Sequence, residues 1–383
     1  MERFDSKIVS DWRFEQDREL DFAQIYHPQP QPTSRPNGRD ADRKSVTALA
    51  KEVLNVVIRK RRMERSEESC RSLTCPICSA PHLPKVATAM VKGEPIQFVL
   101  PAFPGKSPNL AKVLGPLPDM AEKQSLHFLN ELCRKMGELY EPGAKILICS
   151  DGRVFNDLVE ISDENITSYQ KSLNQQIQEL QLENISTFNL DDVGDTLIDD
   201  SSGSFAQLRQ SLVAKYAQPL EALQERIRSA GRDIHGSEAQ EAQRMYCGIT
   251  RFLFEDALVP GQTRSRTSIQ KSCRLRAYEV IRRSNAWSEL IAENFPESIR
   301  LSIHPQSCGS RKLGIQLVGT NAWLTPWHGV AVQTRQGFTL MKRWEAESRN
   351  AHLVMDAEGK PSHYQLLDDN NDIYKGDDNE IKL

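Results

Sequence analysis

Residues 118–153, PDMAEKQSLHFLNELCRKMGELYEPGAKILICSDGR, decide the fold. Apolar residues recur near i, i+3, i+4 and i+7 from Met120 to Tyr140, the spacing of a helix with one buried face. Asp119 stands where an N-cap accepts an orphan amide, and Glu122, three residues on, suits a capping box. Pro142-Gly143 stops the helix. Lys145-Ile-Leu-Ile-Cys149 is then an unbroken apolar run, as expected of a strand covered on both faces. Upstream, Ile96-Gln-Phe-Val-Leu100 reads as another short strand. Strand, helix and strand joined by short turns imply a right-handed parallel βαβ unit. The expected fold class is α/β, a Rossmann-like, largely parallel sheet flanked by helices.

Working outward, residues 46–65, 165–184, 204–230 and an Arg-rich run around 268–285 read as helices. Short strands follow at 298–303, 312–318, 330–333 and 338–341, separated by turn residues, so the C-terminal part is expected to be strand-rich. Residues 28–45 (PQPQPTSRPNGRDADRKS) are rich in Pro, Ser and charge, which makes 1–45 an arm and linker. Residues 351–383 are acidic and aperiodic and read as a loosely held tail, leaving 46–350 as the folded body. Lys plus Arg number 49 against 52 Asp plus Glu, a net charge of −3 that exerts no global pull towards nucleic acid or an acidic membrane. The N-terminal MERFDSKIVSDWRFEQ lacks the apolar core of a signal peptide, and no apolar run nears the ~20 residues that span a bilayer. A cytoplasmic protein is expected.

Gly105-Lys106-Ser107 has the last letters of a nucleotide-binding P-loop, but Leu100 stands where its first glycine is needed. Pro108 also biases Ser107 away from helical angles. Lys106 and Ser107 instead lie past the end of the first strand, as Ser150, Asp151 and Arg153 lie past the end of the second. Ligands of open parallel sheets bind beyond these carboxyl ends, which would gather Lys106, Ser107, Asp151 and Arg153 in one cleft. A plain tight turn at Asp151-Gly152 with Arg153 on the surface fits the spacing equally. His304 ends the strand that carries Arg300 and can serve as a general base near neutral pH, although an isolated histidine is more often a hydrogen-bonded core residue. Arg311 and Lys312 add cations nearby, and Trp327 and His328 lie on a turn, where the indole can pack or stack on a planar substrate.

Cys70-x4-Cys75-Pro-Ile-Cys78-x3-His82 has spacing that can wrap zinc, but no second C-x-x-C completes it, and chance spacing is the leading reading. The other cysteines are scattered and read as free thiols. Residues 251–283 carry eight Lys or Arg against three acidic residues, which allows a nucleic-acid surface or a phosphate grip, although a solvated helix face explains most of them. The basic run at 59–62 reads as an exposed helix end. No G-x-G-x-x-G, H-E-x-x-H or G-x-S-x-G occurs, which argues against a dinucleotide site, a catalytic metal and an α/β-hydrolase.

Four blocks, FVLPAFPGKSPNLAKVLGPLPDMAE (98–122), YEPGAKILICSDGRVFNDLV (140–159), IRRSNAWSELIAENFPESIRLSIHP (281–305) and TPWHGV (325–330), resemble the pyoverdine/dityrosine biosynthesis family of isocyanide synthases in order and rough spacing. Gly105 departs from the bulkier residue expected in many relatives. The resemblance implies an enzyme that turns the α-amino group of an amino acid into an isonitrile. The carbon would come from C2 of ribulose 5-phosphate, with no metal and no redox cofactor. It implies small-molecule partners, neither nucleic acid nor membrane, and a separate oxygenase or P450 taking the product onward. Such chemistry needs proton-moving groups, for which Lys106, Asp151 and His304 are candidates. It needs anion grips, for which Ser107, Ser150, Arg153, Arg300 and Lys312 are candidates. Phe103, Trp327 and His328 are candidates for the amino-acid pocket. A non-catalytic sugar-phosphate or nucleic-acid binding protein using 251–283 is the alternative. Replacing Lys106 or His304 by Ala is expected to abolish isonitrile formation with the fold intact, as product assay beside circular dichroism would check.

Overall fold

The computed structural model describes residues 38–62, 70, 74–197, 204–230, 237–259, 261–319 and 322–366. Residues 45–383 form one compact unit; of the preceding unit, 1–44, only helical backbone at 38–44 is described. The expected arm at 1–37 and the tail at 367–383 lie outside the described residues.

The middle layer is a parallel sheet built from β1 (Ile96–Pro101), β2 (Ala144–Cys149), β3 (Ile185–Phe188), β4 (Ile299–Ser302) and β5 (Leu313–Gly314). Their spatial order is β3-β2-β1-β4-β5, with Phe98 opposite Ile146 on one side and Ile299 on the other. Alternation along the strands divides the apolar residues between two cores. Phe98, Leu100, Ile146 and Ile148 face α1 (Gly38–Ile58), α2 (Pro76–Ser79), α3 (Leu83–Lys92), α4 (Met120–Leu139) and, past the turn α5 (Gly152–Phe155), α6 (Asp163–Glu179). Val99, Leu147 and Cys149 face the other way. They meet the later helices α7 (Gly194–Leu197), α8 (Phe205–Tyr216), α9 (Leu220–Ser229), α10 (Ser237–Ala257) and α11 (Arg266–Asn294). In that second core Trp287 stacks on Phe188 and donates its indole N–H to the Cys149 carbonyl at 3.3 Å. The result is the expected α/β sandwich of helix, sheet and helix layers.

A second, mixed sheet follows: β6 (Val330–Thr334), β7 (Gly337–Met341), β8 (His352–Met355) and β9 (Pro361–Gln365), ordered β7-β6-β9-β8. The short α12 (Arg343–Ser348) lies between β7 and β8. Residues 352–365 therefore carry two strands joined by a turn, not the loose tail that their acidity suggested. His363 and Tyr364 are buried there, and the Tyr364 hydroxyl donates to Glu347 at 2.7 Å. Ala217-Gln218-Pro219 breaks the expected 204–230 helix into α8 and α9, because a prolyl ring cannot continue a helix. The strand expected over 312–318 shrinks to Leu313–Gly314. The basic run is not an exposed helix end: Arg62 is buried and donates to the carbonyls of Ile303 (2.7 Å) and Ala322 (2.9 Å). Among the described residues no helix is long and apolar enough to cross a membrane.

The loops after β1 and β2 touch through a glycine. A Cβ on Gly152 would lie 2.2 Å from the Pro104 carbonyl oxygen, so only a residue without one lets the two backbones meet. Gly152→Ala is expected to lower the urea midpoint by the equivalent of about 1–3 kcal/mol, the usual cost of overpacking. Gly248→Ala, in α10 with open space around it, should hold or raise the midpoint.

Candidate active site

β1 lies between β2 and β4, and the chain leaves it towards β2 but returns to its other side as β4. Crossovers diverge at such a switch point, and a crevice opens at the carboxyl ends of the two strands. Three groups of charged side chains gather around this edge.

The first is built on Lys106. Leaving β1, the backbone passes Phe103 at φ 59° and Gly105 at φ 121°. Gly105 is required here, since a Cβ would also meet the Ile166 side chain at 2.7 Å. This bend turns Lys106 inward. Its ammonium is buried, 2.9 Å from Asp119 and 2.8 Å from Glu122, and donates to the Pro326 carbonyl at 3.1 Å. The same two carboxylates cap α4: Asp119 accepts from the Ala121 amide and Glu122 from the Asp119 amide. The Tyr169 hydroxyl donates to the other oxygen of Glu122 at 3.2 Å. Burial opposes the charge on Lys106, but the two carboxylates outweigh it and hold its pKa above the ordinary range. Burial, with help from Asp119, pushes Glu122 up to about 7 against the pull of Lys106.

The second group centres on Asp256, on α10. It accepts from the Ser107 hydroxyl at 2.7 Å and pairs closely with Lys112, whose ammonium lies 3.4 Å from His328 Nδ1. Burial pushes His328 down to about 4, with Lys112 acting in the same direction and Asp256 against it.

The third group lies at the ends of β2, β4 and β5. Burial pushes the Asp151 carboxyl up to about 7, against its backbone hydrogen bond and the charge of Arg300. Arg300 donates to the Ser288 hydroxyl at 2.9 Å. Asp151 Oδ1 and Arg300 Nη1 are buried, and neither has a hydrogen-bond partner among the described residues. His304 is reached by solvent, yet protein packs densely around it. Desolvation, with the charges of Arg62 and Lys312 added, pushes its pKa down to about 4. It is therefore a neutral acceptor at pH 7.

The loops after β1 and β2 share an edge, as expected, but not every polar residue on them faces it. Arg153 turns away: it pairs with Asp191 at 3.1 Å, donates to Thr167 at 3.0 Å and lies 3.7 Å over the Phe205 ring. Ser150 is spent on the Phe103 carbonyl at 2.8 Å, and Ser107 on Asp256. Phe103 and Trp327 are buried and pack on each other at 5.3 Å, as core rather than as an open wall. His328 packs against Phe252. The residues missed by sequence reasoning are Lys112, Tyr169, Asp256 and the second role of Asp119 and Glu122. Only the caps had a local signal; the others depend on helices that meet through the fold. Three of the eight cations of 251–283 hold α11 in place, while Arg251, Arg264, Arg266, Lys271 and Arg274 are exposed. Arg276 bonds Leu158 and Glu160, Arg282 bonds Gln218 and Glu279, and Arg283 bonds Val154 and Asp157.

Residues 86–354 match the family model described as pyoverdine/dityrosine biosynthesis protein. The chain belongs to that family. It is 45% identical over 319 residues to the L-tryptophan isonitrile synthase AmbI1 of Fischerella ambigua, covering 83% of this chain and 95% of that one. It is 49% identical over 285 residues to an L-tyrosine isonitrile synthase of Pseudomonas aeruginosa, covering 74% and 83%. The crystal structure of PvcA from the same bacterium superposes with a TM-score of 0.75 at 46% identity, over 83% of this chain and 99% of that one. The likeness is thus to the isocyanide synthases of the family.

The buried ion pairs correct one expectation about variants. Lys106→Ala leaves two carboxylates buried without their cation, so it is expected to lower unfolding free energy by about 3–5 kcal/mol as well as activity. His304→Ala, at a solvent-reached position, should stay within about 0.5 kcal/mol of the parent in the same urea titration.

Proposed function

We propose that the protein is an isocyanide synthase that converts the α-amino group of an aromatic amino acid into an isonitrile, with ribulose 5-phosphate as carbon donor. The observation that carries this reading is the pair of orphaned polar atoms at the switch point, Asp151 Oδ1 and Arg300 Nη1. A buried carboxyl and a buried guanidinium each left short of a partner suit a ligand that carries an exchangeable proton and an anion. A phosphopentulose and an amino acid together carry both.

In this reaction the substrate amine adds to the C2 ketone, water leaves to form the imine, and proton transfers precede cleavage of both C–C bonds at C2, to C1 and to C3, with loss of phosphate. The cleavage would class the enzyme as a carbon–carbon lyase. Arg300 and Lys312 grip phosphate or carboxylate. Asp151, with its pKa near 7, gives and takes protons at little cost near neutrality. Neutral His304 is a second acceptor. Lys106 acts from beneath as a fixed positive charge; its two ion pairs keep it protonated, so it is no free amine for a Schiff base. The reading needs no metal or redox cofactor in the reaction. The choice of an aromatic amino acid rests on the substrates named for the two relatives.

The test is incubation with ribulose 5-phosphate labelled with 13C at C2 and, in turn, Trp, Tyr and an aliphatic amino acid. A labelled isonitrile detected by infrared and mass spectrometry from Trp or Tyr supports the reading. Consumption of neither substrate would sink it, and an unlabelled isonitrile would exclude the carbon donor. Asp151→Asn is expected to cost about 10²–10⁴ in kcat. It should also remove the acid limb of the kcat/KM profile near pH 7. The folded carboxyl binds its proton more tightly than the ordinary aspartate at 3.8, so unfolding free energy from this group falls as pH climbs from there to about 7. Asp151→Asn should flatten that fall in a series of urea titrations.

A further inference from the structure

Four cysteine sulfurs converge where α2 meets the loop after β4. Cys70, Cys75 and Cys78 come from the N-terminal side of the fold and Cys308 from more than two hundred residues later. All four Sγ atoms lie within 4.8 Å of one another, with Cys70–Cys78 at 3.2 Å, Cys78–Cys308 at 3.6 Å and Cys75–Cys308 at 3.7 Å. His82, the fourth ligand suggested by spacing alone, is not in the set. It is buried beside Ser310, whose backbone bonds its ring. Cys308 takes its place, supplied by the fold and invisible to any local motif.

We propose that Cys70, Cys75, Cys78 and Cys308 bind one zinc ion as a tetrathiolate, a structural site separate from the reacting groups.

Geometry excludes the simpler readings. A disulfide joins only two sulfurs, at about 2.05 Å, and would leave the remaining pair unexplained. Four thiols buried merely as small hydrophobes gain nothing by turning all their sulfurs to one point. A tetrahedron with Zn–S bonds of about 2.3 Å has S–S edges of about 3.8 Å; two of these separations lie within 0.2 Å of that value and the third, at 3.2 Å, is shorter. The set is too tight to enclose a four-iron cluster, so a single ion is the occupant. Four soft sulfur donors in this geometry select zinc over the hard cations.

The surroundings suit thiolates. Cys75-Pro-Ile-Cys78 forms a knuckle in which the Ile77 and Cys78 amides donate to Cys75 Sγ, and the Gly309 amide donates to Cys78 Sγ. Gly309 makes its turn at φ 79°. Arg61 donates to the Cys70 carbonyl at 2.6 Å and to Cys70 Sγ at 3.5 Å, setting a cation against the net negative charge of a zinc tetrathiolate. The ion would thereby clamp the loop that joins His304 to Lys312 onto the segment around α2. It would fix the wall of the cleft without entering the reaction.

The full-length chain, purified under reducing conditions without chelator, should carry about one zinc per chain by elemental analysis. Cobalt exchanged into it should show the sulfur-to-metal charge-transfer and red d–d bands of a tetrahedral tetrathiolate. Cys308→Ser should lose those bands and most of the metal, whereas Cys247→Ser, an exposed cysteine outside the set, should keep both. Removal of zinc by a strong chelator should lower the thermal midpoint of the wild-type chain. The proposal is overturned if the reduced wild-type chain neither carries zinc nor takes up cobalt with those bands, or if its non-reduced mass shows these cysteines paired in disulfides. Neither measurement depends on isonitrile formation, so the metal site stands or falls apart from the proposed activity.

Discussion

The buried ammonium of Lys106, held between Asp119 and Glu122, is the contact that most of the sheet edge depends on. Its three partners come from two separate parts of the chain: the cap of α4 and the Pro326 carbonyl ahead of β6. One cation therefore ties the end of β1, the start of the crossover helix and the entry to the second sheet. Two carboxylates around one ammonium would be costly in an apolar interior without further donors. The Ala121 and Asp119 amides and the Tyr169 hydroxyl supply these donors, so the cluster is satisfied as a unit. Burial, with repulsion from Asp119 added, pushes Glu122 upward, while the two carboxylates keep Lys106 charged.

Polar partners show which side chains at this edge hold loops. Ser107, Ser150 and Arg153 all have protein partners at hydrogen-bond distance, and each partner belongs to a different element. They hold loops in place. Asp151 and Arg300 each keep a buried polar atom that the protein does not pair, as Arg153 does at Nη1. An unpaired buried donor or acceptor is unfavourable by roughly 1–3 kcal/mol, and these two lie together where Arg153 has turned away. Both residues flank the switch point, where the sheet order opens a crevice whatever the side chains do.

Much of this was legible in local sequence and some could not be. The capping pair Asp119 and Glu122, the apolar runs of β1 and β2 and the Pro142-Gly143 stop each depend on residues within a few positions of one another, and each formed as read. β3 was missed because Ile185-Ser-Thr-Phe188 is short and half polar, and becomes a strand only by pairing with β2. β8 and β9 were missed for a similar reason: they bury few side chains and are held by pairing with each other and with β6. At the site, sequence placed side chains on the right loops but could not say which way they turn. The direction of Arg153 is set by Asp191 and Phe205, which no spacing rule connects to it.

The same limit explains why a cysteine motif can look half-formed. Cys75-Pro-Ile-Cys78 is a complete local unit, but a tetrahedral site needs a second arm, and here it arrives from the loop after β4, more than two hundred residues on. Loop 303–312 runs from His304 past Cys308 to Lys312, so one end of it shapes the cleft while its middle sits in the sulfur cluster. Arg62, whose charge lowers His304, also bonds the Ile303 carbonyl from the segment that precedes Cys70. Arg62 and the cysteine set thus fasten the same loop from two sides. Its position beside β4 therefore rests on Arg62 and the cysteine set as well as on the two-residue strand β5 that follows it.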